Sequence, residues 1–143
     1  MKYQSRKSSC GPAALMNALE AIGIKRTEDE LSILSKQSTT GTSQGNLEKA
    51  LTSLGVEFDR INEKRGNVAA WAIGFHLRSG NSVVIIVDEF DHWISVVGIL
   101  GDRYILCDSA DNDLILFYSE EELLTRWECS GRFYGVIVRK GSG

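Results

Sequence analysis

The chain has 143 residues, of which 43% are hydrophobic and 24% are charged, and its formal net charge is −3. This length and composition predict one globular domain over residues 1–140 and exclude an extensively disordered chain. The slightly acidic charge, with no cluster of lysines and arginines beyond adjacent pairs, argues against nucleic acid as the main partner.

The sequence shows no segment that would be expected to anchor the chain in a membrane or to target it for secretion. The longest apolar run, Val83–Val87, has the length of a strand, so no membrane segment is expected. The first residues lack the apolar stretch of a signal peptide, which predicts a cytoplasmic protein. The terminal Gly-Ser-Gly, residues 141–143, is interpreted as the remnant of a tag or linker.

The first half of the chain carries the helical patterns. Apolar residues at helical spacing predict a helix over about 10–21, followed by a second helix in "TEDELSILSK", where Thr27 and Glu30 are placed as a capping box. A polar loop, "TTGTSQG", leads into a third helix that ends at Gly55. A short strand in "VEFDRI" precedes a fourth helix, "NVAAWAIGFHLRSG", which is closed by Gly80.

The second half changes to the period of strands. Buried or alternating runs predict strands separated by gaps of hairpin length, and one short helix, "EEELLTRW", is capped by Ser119 and Glu122. Helices first and strands afterwards predict an α+β fold, with the N-terminal helices packed on a C-terminal antiparallel sheet. The predicted strands are "SVVIIVD", "HWISVVGI", "RYILCDS", "LILFYS" and "RFYGVIVRK".

The three cysteines are Cys10, Cys107 and Cys129. An odd count without a C-x-x-C pair argues against a disulfide framework and a zinc site. Cys10 opens a helix, where unpaired backbone N–H groups and the helix dipole stabilise the thiolate, the reactive form of cysteine. Arg6 and Lys7 would add to that field if they point inward. The alternative is that all three are small buried hydrophobic residues, and this interpretation is preferred for the other two.

His92 is one of only two histidines in the chain, and it begins a predicted strand. A cysteine nucleophile needs a base within hydrogen-bond reach, and imidazole is the usual one near neutral pH. The alternative is an ordinary histidine at a strand end, held by Asp91. His76 lies in the predicted fourth helix and is interpreted as a packing residue.

Asp108 could orient the imidazole of His92, depending on how the two strands are joined. A three-residue loop, Ile99–Gly101, would set His92 opposite Asp108 with both side chains on one face of the sheet. A two-residue turn at Gly101 and Asp102 would send Asp108 to the other face. These residues alone leave both registers open.

Gln4 is the fourth candidate residue. Acyl transfer from a thiolate develops negative charge on a carbonyl oxygen, and hydrogen-bond donors must stabilise it. The amide of Gln4 could supply one donor, together with the backbone N–H of Cys10. The alternative is a polar residue on a frayed N-terminus.

These residues and their neighbouring motifs resemble the C39 peptidases, papain-like domains that remove double-glycine leaders from bacteriocin precursors. The similar segments are "QSRKSSCGPAALMNAL", "TTGTSQGNLEKALTSLGVEF" and "DHWISVVGILGDRYILCDS", which together span Gln4 to about Ser109. Two residues depart from the common family pattern, since Ser9 replaces an Asp and Ser109 replaces a Pro. Those domains are commonly fused to an ABC transporter, so the resemblance leaves a separate transporter or another protein open as a partner of this chain.

The resemblance implies a papain-like fold and assigns roles to the four candidates. Cys10 would be the nucleophile, His92 the general base and acid, and Asp108 the residue that orients the imidazole. Gln4 would be the oxyanion donor, and the three-residue loop would be the correct register. The implied function is hydrolysis of a peptide bond in a peptide or protein substrate, without a metal or organic cofactor.

Two other functions remain open from the sequence. Deamidation of a glutamine side chain, or acyl transfer to an amine, would use the same residues and the same thioester. The other possibility is a catalytically silent C39-like domain, which would bind a peptide in its groove without cleaving it.

Overall fold

The computed structural model describes residues 1–5, 7–36, 42–111 and 113–141, except for the side chain of Lys7. Much of the polar loop predicted before the third helix, and most of the interpreted tag, therefore lie outside the described residues. In the described segments, none of the helices is long and apolar enough to cross a membrane.

The described chain forms a short 3-10 turn, five α-helices and six β-strands, which confirms the predicted α+β class. The helices end close to the predicted positions because their boundaries carry strong local signals. The helices are α1 (Cys10–Ala21), α2 (Glu28–Leu34), α3 (Gln44–Ser53), α4 (Gly66–Arg78) and α5 (Glu120–Trp127). The strands are β1 (Phe58–Glu63), β2 (Ser82–Val87), β3 (His92–Leu100), β4 (Arg103–Cys107), β5 (Ile115–Tyr118) and β6 (Phe133–Val138).

Side-chain caps fix the beginnings of the polar helices. Ser119 and Glu122 form the full capping box of α5, with each side chain bonded to the backbone N–H of the other residue. At α2 the hydroxyl of Thr27 accepts a 3.1 Å bond from the N–H of Glu30. These caps satisfy backbone donors that would otherwise lack partners at the helix ends.

The six strands form one antiparallel sheet in the order β1-β6-β2-β3-β4-β5. Helices cover both faces. One core joins α1, α2 and α3 to the face that carries Val84, Trp93 and Val136. The second core joins α4 and α5 to the face that carries Ile85 and Ile94. The predicted packing of helices on the sheet is thus divided between two layers, because alternate strand residues point to opposite faces.

The connection between β3 and β4 differs from the three-residue loop that the family resemblance implied. Leu100 pairs with Arg103, so the turn is the two-residue one at Gly101 and Asp102. Gly101 has a φ of 61°, and glycine at the first position of a two-residue turn is typical of type II′. The register then shifts between Val96 and Gly98, as in a β-bulge.

The bulge at Val97 restores the face that the two-residue turn would have reversed. Before the shift Ser95 pairs with Cys107, so extending the register sets Ile94 opposite Asp108. His92 is two residues from Ile94 and therefore lies on the same face, diagonal to Asp108. One extra residue in β3 thus places His92 and Asp108 on the same face of the sheet, as the predicted three-residue loop would have done.

The turn that delivers His92 has an unusual backbone. Asp88, Glu89 and Phe90 have φ values of 54°, 52° and 68°, the left-handed region that non-glycine residues rarely adopt. Each such residue costs about 1 kcal/mol or more, so surrounding contacts must hold the turn. The carboxylate of Asp88 is bound by Arg126, and the carboxylate of Glu89 accepts a 3.2 Å bond from the N–H of Ser130.

We predict that Gly135→Ala destabilises the fold by about 1–3 kcal/mol, because a Cβ at this position would overpack the centre of the sheet. That Cβ would lie 2.8 Å from the carbonyl oxygen of Val84. Gly45→Ala is the matched control, since no atom lies within 4 Å of its added Cβ in α3, and it should be neutral or slightly stabilising. Urea denaturation measures the free energy of unfolding of both variants, and equal values for the two would contradict the prediction.

Candidate active site

Cys10 begins α1 and is held at the boundary between the first core and the end of the sheet. Its side chain is only 8% exposed. The sulfur is hydrogen-bonded to the side chain of His92 and to the backbone N–H groups of Trp93 and Gly11. The helix start and β3 therefore both supply donors to one sulfur.

Close packing fixes the start of α1 beside Trp93. A Cβ at Gly11 would lie 2.9 Å from the Cβ of Thr42 and 3.4 Å from Cδ1 of Trp93. The indole N–H of Trp93 donates a 2.9 Å bond to the carbonyl of Thr42. Glycine after the cysteine lets these groups approach, and Trp93 is a core residue that is 3% exposed.

Burial by itself raises the pKa of the Cys10 thiol, because a charged sulfur is less well solvated there. The hydrogen bonds from His92 and from the backbone of Trp93 and Gly11 outweigh that effect. The net pKa of Cys10 is lowered from its ordinary value. This is the direction that favours a nucleophilic thiolate.

His92 connects the thiol to Asp108. Its Nε2 lies 2.6 Å from Oδ1 of Asp108, which leaves Nδ1 for the hydrogen bond to Cys10. The structure therefore places Cys10, His92 and Asp108 in one hydrogen-bonded series. Asp91, the alternative partner that the sequence allowed, is exposed.

Burial lowers the pKa of His92, but the hydrogen bonds with Asp108 and Cys10 more than offset it. The result is a pKa raised to about 9. At neutral pH the imidazole is accordingly protonated, and the thiol opposite it loses its proton more readily. An imidazolium and a thiolate stabilise each other as an ion pair.

Asp108 is 2% exposed, and both of its carboxylate oxygens have partners. Oδ1 accepts from His92 and, at 3.1 Å, from the backbone N–H of Ala110, while Oδ2 accepts from Arg126 at 2.8 Å. Burial raises the pKa of this carboxyl, but these three donors hold it well below its usual range. Asp108 is therefore a fixed negative charge.

Arg126, on α5, is a member of the site that the sequence reasoning missed. It bonds Asp108 and also binds the carboxylate of Asp88 with two N–H groups, at 3.1 and 3.0 Å. No local signal marked it, because an arginine near the end of an amphipathic helix has the ordinary place of a solvated residue. Three of the four residues Asp88–Asp91 before His92 are acidic, and one of their carboxylates, that of Asp88, is the partner of Arg126.

Gln4 is fixed against Ser109, the residue after Asp108. Its backbone N–H donates a 3.1 Å bond to the carbonyl of Ser109, whose hydroxyl donates a 2.8 Å bond to Oε1 of Gln4. Since Oε1 is the acceptor, the orientation of the amide group is defined. The N-terminal segment is thus tied to the same end of the sheet as His92 and Asp108.

The other residues considered in the sequence do not take part in the hydrogen bonds among Cys10, His92 and Asp108, or they lie outside the described residues. Arg6 and the side chain of Lys7 lie outside the described residues. Cys107 and Cys129 are fully buried, and burial raises the pKa of Cys107 to about 11. The ring of His76 contacts the side-chain amide of Asn81, with 3.0 Å between Nδ1 and Nδ2. Among the described residues, no group of three or more His, Cys, Asp or Glu side chains could hold a metal ion.

The fold agrees with comparisons to known proteins. The Peptidase C39 family profile matches residues 1–131, so the chain belongs to the Peptidase C39 family. The resemblance of its sequence motifs to that family is thereby confirmed.

Similar solved structures extend over nearly the whole chain. The peptidase domain of Streptococcus ComA, a bifunctional ABC transporter of a quorum-sensing pathway, has a TM-score of 0.74 at 19% identity, covering 98% of this chain and 97% of that one. A double-glycine-motif protease from an AMS/PCAT transporter, solved with its leader peptide, has a TM-score of 0.73 at 17% identity, covering 97% and 89%. A C39-like peptidase of Bacillus anthracis has a TM-score of 0.73 at 13% identity, covering 100% and 95%.

A closer match in sequence is confined to a shorter segment. Over 53 residues the chain is 45% identical to an uncharacterized protein of Methanothermobacter thermautotrophicus. That match covers 37% of this chain and 37% of the archaeal protein. It supports common ancestry in this segment and carries no information on activity.

We predict that iodoacetamide alkylates Cys10 at pH values well below the free-thiol pKa of about 8.5. His92→Ala should slow the reaction at pH 6 by about tenfold or more, because the thiol then loses its cationic partner. Cys107→Ala and Cys129→Ala in both backgrounds leave one thiol to follow by mass spectrometry. Equal rates at pH 6 with and without His92 would contradict the ion pair.

Proposed function

We propose that the protein is a cysteine peptidase that hydrolyses a peptide bond through Cys10, His92 and Asp108, with Gln4 as an oxyanion donor. The observation that carries the proposal is the hydrogen-bonded series from the sulfur of Cys10 through His92 to Asp108. Membership of the C39 family, whose members are generally cysteine peptidases, supports the same reaction class.

In the proposed acylation, the Cys10 thiolate attacks the carbonyl carbon of the substrate and forms a C–S bond. The oxyanion that develops accepts hydrogen bonds from the Gln4 amide and the Cys10 backbone N–H. The His92 imidazolium then donates its proton to the amide nitrogen. The C–N bond breaks, the amine leaves, and a thioester and a neutral imidazole remain.

In the proposed deacylation, a water molecule replaces the departed amine. His92 takes a proton from the water as its oxygen attacks the thioester carbon. The C–S bond breaks, the carboxylic product leaves, and the thiolate–imidazolium pair is restored. Asp108 keeps the imidazole in one orientation and one tautomer throughout, because its carboxylate remains ionised.

The proposed pair defines a pH window for the reaction. Activity should rise as pH passes the lowered pKa of Cys10, and it should fall as pH passes about 9, where His92 loses the proton needed by the leaving amine. Asp108 stays ionised across this window, since its own pKa is held well below the ordinary range.

The proposed substrate is a peptide or a flexible segment of a protein. Two of the similar structures belong to peptidase domains of transporters, and one of these is named as a double-glycine-motif protease bound to a leader peptide. We therefore propose that peptides with a Gly-Gly pair before the scissile bond are the first class to test.

We expect the full chain to shorten at least one member of a library of Gly-Gly peptides, with cleavage after the second glycine detected by mass spectrometry. Cys10→Ala should abolish product, and Asp108→Asn should lower kcat by about a thousandfold or more, since the imidazole would lose its charged orienting partner. A change of side-chain mass without shortening would favour a deamidase or transferase. Binding of intact peptides without any product would favour the silent binding domain.

We predict that Gln4→Ala lowers kcat by about a hundredfold with little change in KM, because the missing amide acts on the oxyanion. Ser109→Ala should lower kcat by about fivefold, the value of one hydrogen bond, because the amide of Gln4 loses its fixed orientation. Ser95→Ala is the matched control, a buried serine whose hydroxyl bonds the carbonyl of Cys107. Equal kcat values for Ser109→Ala and Ser95→Ala would count against the role of Ser109.

A further inference from the structure

Arg126 joins residues from three separate places, which are Asp108 after β4, Asp88 in the turn before His92, and Tyr118 at the end of β5. Its guanidinium bonds Asp108 at 2.8 Å, Asp88 at 3.1 and 3.0 Å, and the hydroxyl of Tyr118 at 3.2 Å. Its own backbone carbonyl accepts a 3.3 Å bond from the N–H of Asp88. A side chain held by this many partners is not an ordinary surface arginine.

The two oxygens of Asp108 divide its charge between two cations. Oδ1 faces His92, and Oδ2 faces Arg126. The side chain of Asp108 is 2% exposed and that of Arg126 is 21% exposed, so solvent screens this contact only weakly. The positive charge of Arg126 therefore weakens the electrostatic attraction between the Asp108 carboxylate and the imidazolium of His92.

We propose that Arg126 is a positioning residue that fixes the carboxylate of Asp108 and, by sharing its negative charge, lowers the proton affinity of His92. Asp88 weakens the effect of Arg126 on His92, because its carboxylate binds the same guanidinium and partly neutralises its positive charge. The consequence for catalysis rests on the proposed peptidase function. A less basic His92 is a better acid for expelling the amine.

The sign follows from the charges that face His92. Asp108 and the Cys10 thiolate favour the imidazolium, and Arg126 opposes it both through Asp108 and by direct repulsion. Removing Arg126 should therefore raise the pKa of His92. Neutralising Asp88 should lower the pKa of His92 for two reasons. The guanidinium of Arg126 then interacts with Asp108 alone, and one negative charge near the imidazole is lost.

The test is the pKa of His92, measured by NMR titration of its ring in the full chain carrying Cys10→Ala. This background removes the thiolate, so only the carboxylate and guanidinium groups act on the ring. The chain has two histidines, and His76→Gln assigns the signals. We expect Arg126→Gln to raise the pKa by about half a unit to one unit and Asp88→Asn to lower it by a smaller amount.

Conservative and matched variants separate this role from general stability. Arg126→Lys keeps the charge and should leave the pKa near that of the parent protein. Asp88→Asn should preserve the turn, since asparagine tolerates the left-handed backbone. Arg103→Gln removes another arginine between β4 and α5, which pairs with Glu122 at 3.2 Å, and it should not change the pKa.

Opposite shifts in Arg126→Gln and Asp88→Asn would establish the proposal, because a loss of stability alone would not give opposite signs. An unchanged or lower pKa in Arg126→Gln would overturn it. If that variant does not fold, an unchanged or higher pKa in Asp88→Asn has the same meaning. The measurement uses a protein without its thiol, so it stands even if the unmodified chain cleaves no peptide.

Discussion

The 2.6 Å hydrogen bond between His92 and Asp108 is the interaction on which the rest of the site depends. It holds the ring so that its other nitrogen meets the sulfur of Cys10, and it keeps a positive charge beside that sulfur at neutral pH. Burial opposes every charge involved, so the arrangement is stable only because each group has a partner. The bulge in β3, the left-handed turn and Arg126 can all be understood as means of keeping this bond in place.

The site combines motifs that resemble the C39 family with contacts made by Ser109 and Arg126. The helix-starting cysteine and the histidine on the neighbouring strand belong to the motifs shared with the family. Ser109, in contrast, stands where proline is common, and its hydroxyl fixes the amide of Gln4. Arg126 adds a second cation to the carboxylate of Asp108.

Local patterns were enough to predict the helices, the six strands and the α+β class, because caps, glycines and apolar periods act within a few residues. The β3–β4 turn was assigned the wrong length, since the sequence of β3 gives no sign of an extra residue at Val97. The bulge matters because it returns His92 to the face of Asp108. Arg126 was missed for a related reason, as its partners come from strands and turns distant in sequence. Long-range pairing of this kind leaves no periodic signal in a single chain.

The order of the site residues along the chain has a consequence for biosynthesis. Cys10 is synthesised well before His92, Asp108 and Arg126, which follow it at a long distance along the chain. Until the hairpin and α5 have docked, the thiol has neither its cationic partner nor the backbone N–H of Trp93. A nascent or misfolded chain therefore carries an ordinary, weakly reactive cysteine. The lowered pKa of Cys10 is therefore a property of the finished fold and not of the local sequence around the cysteine.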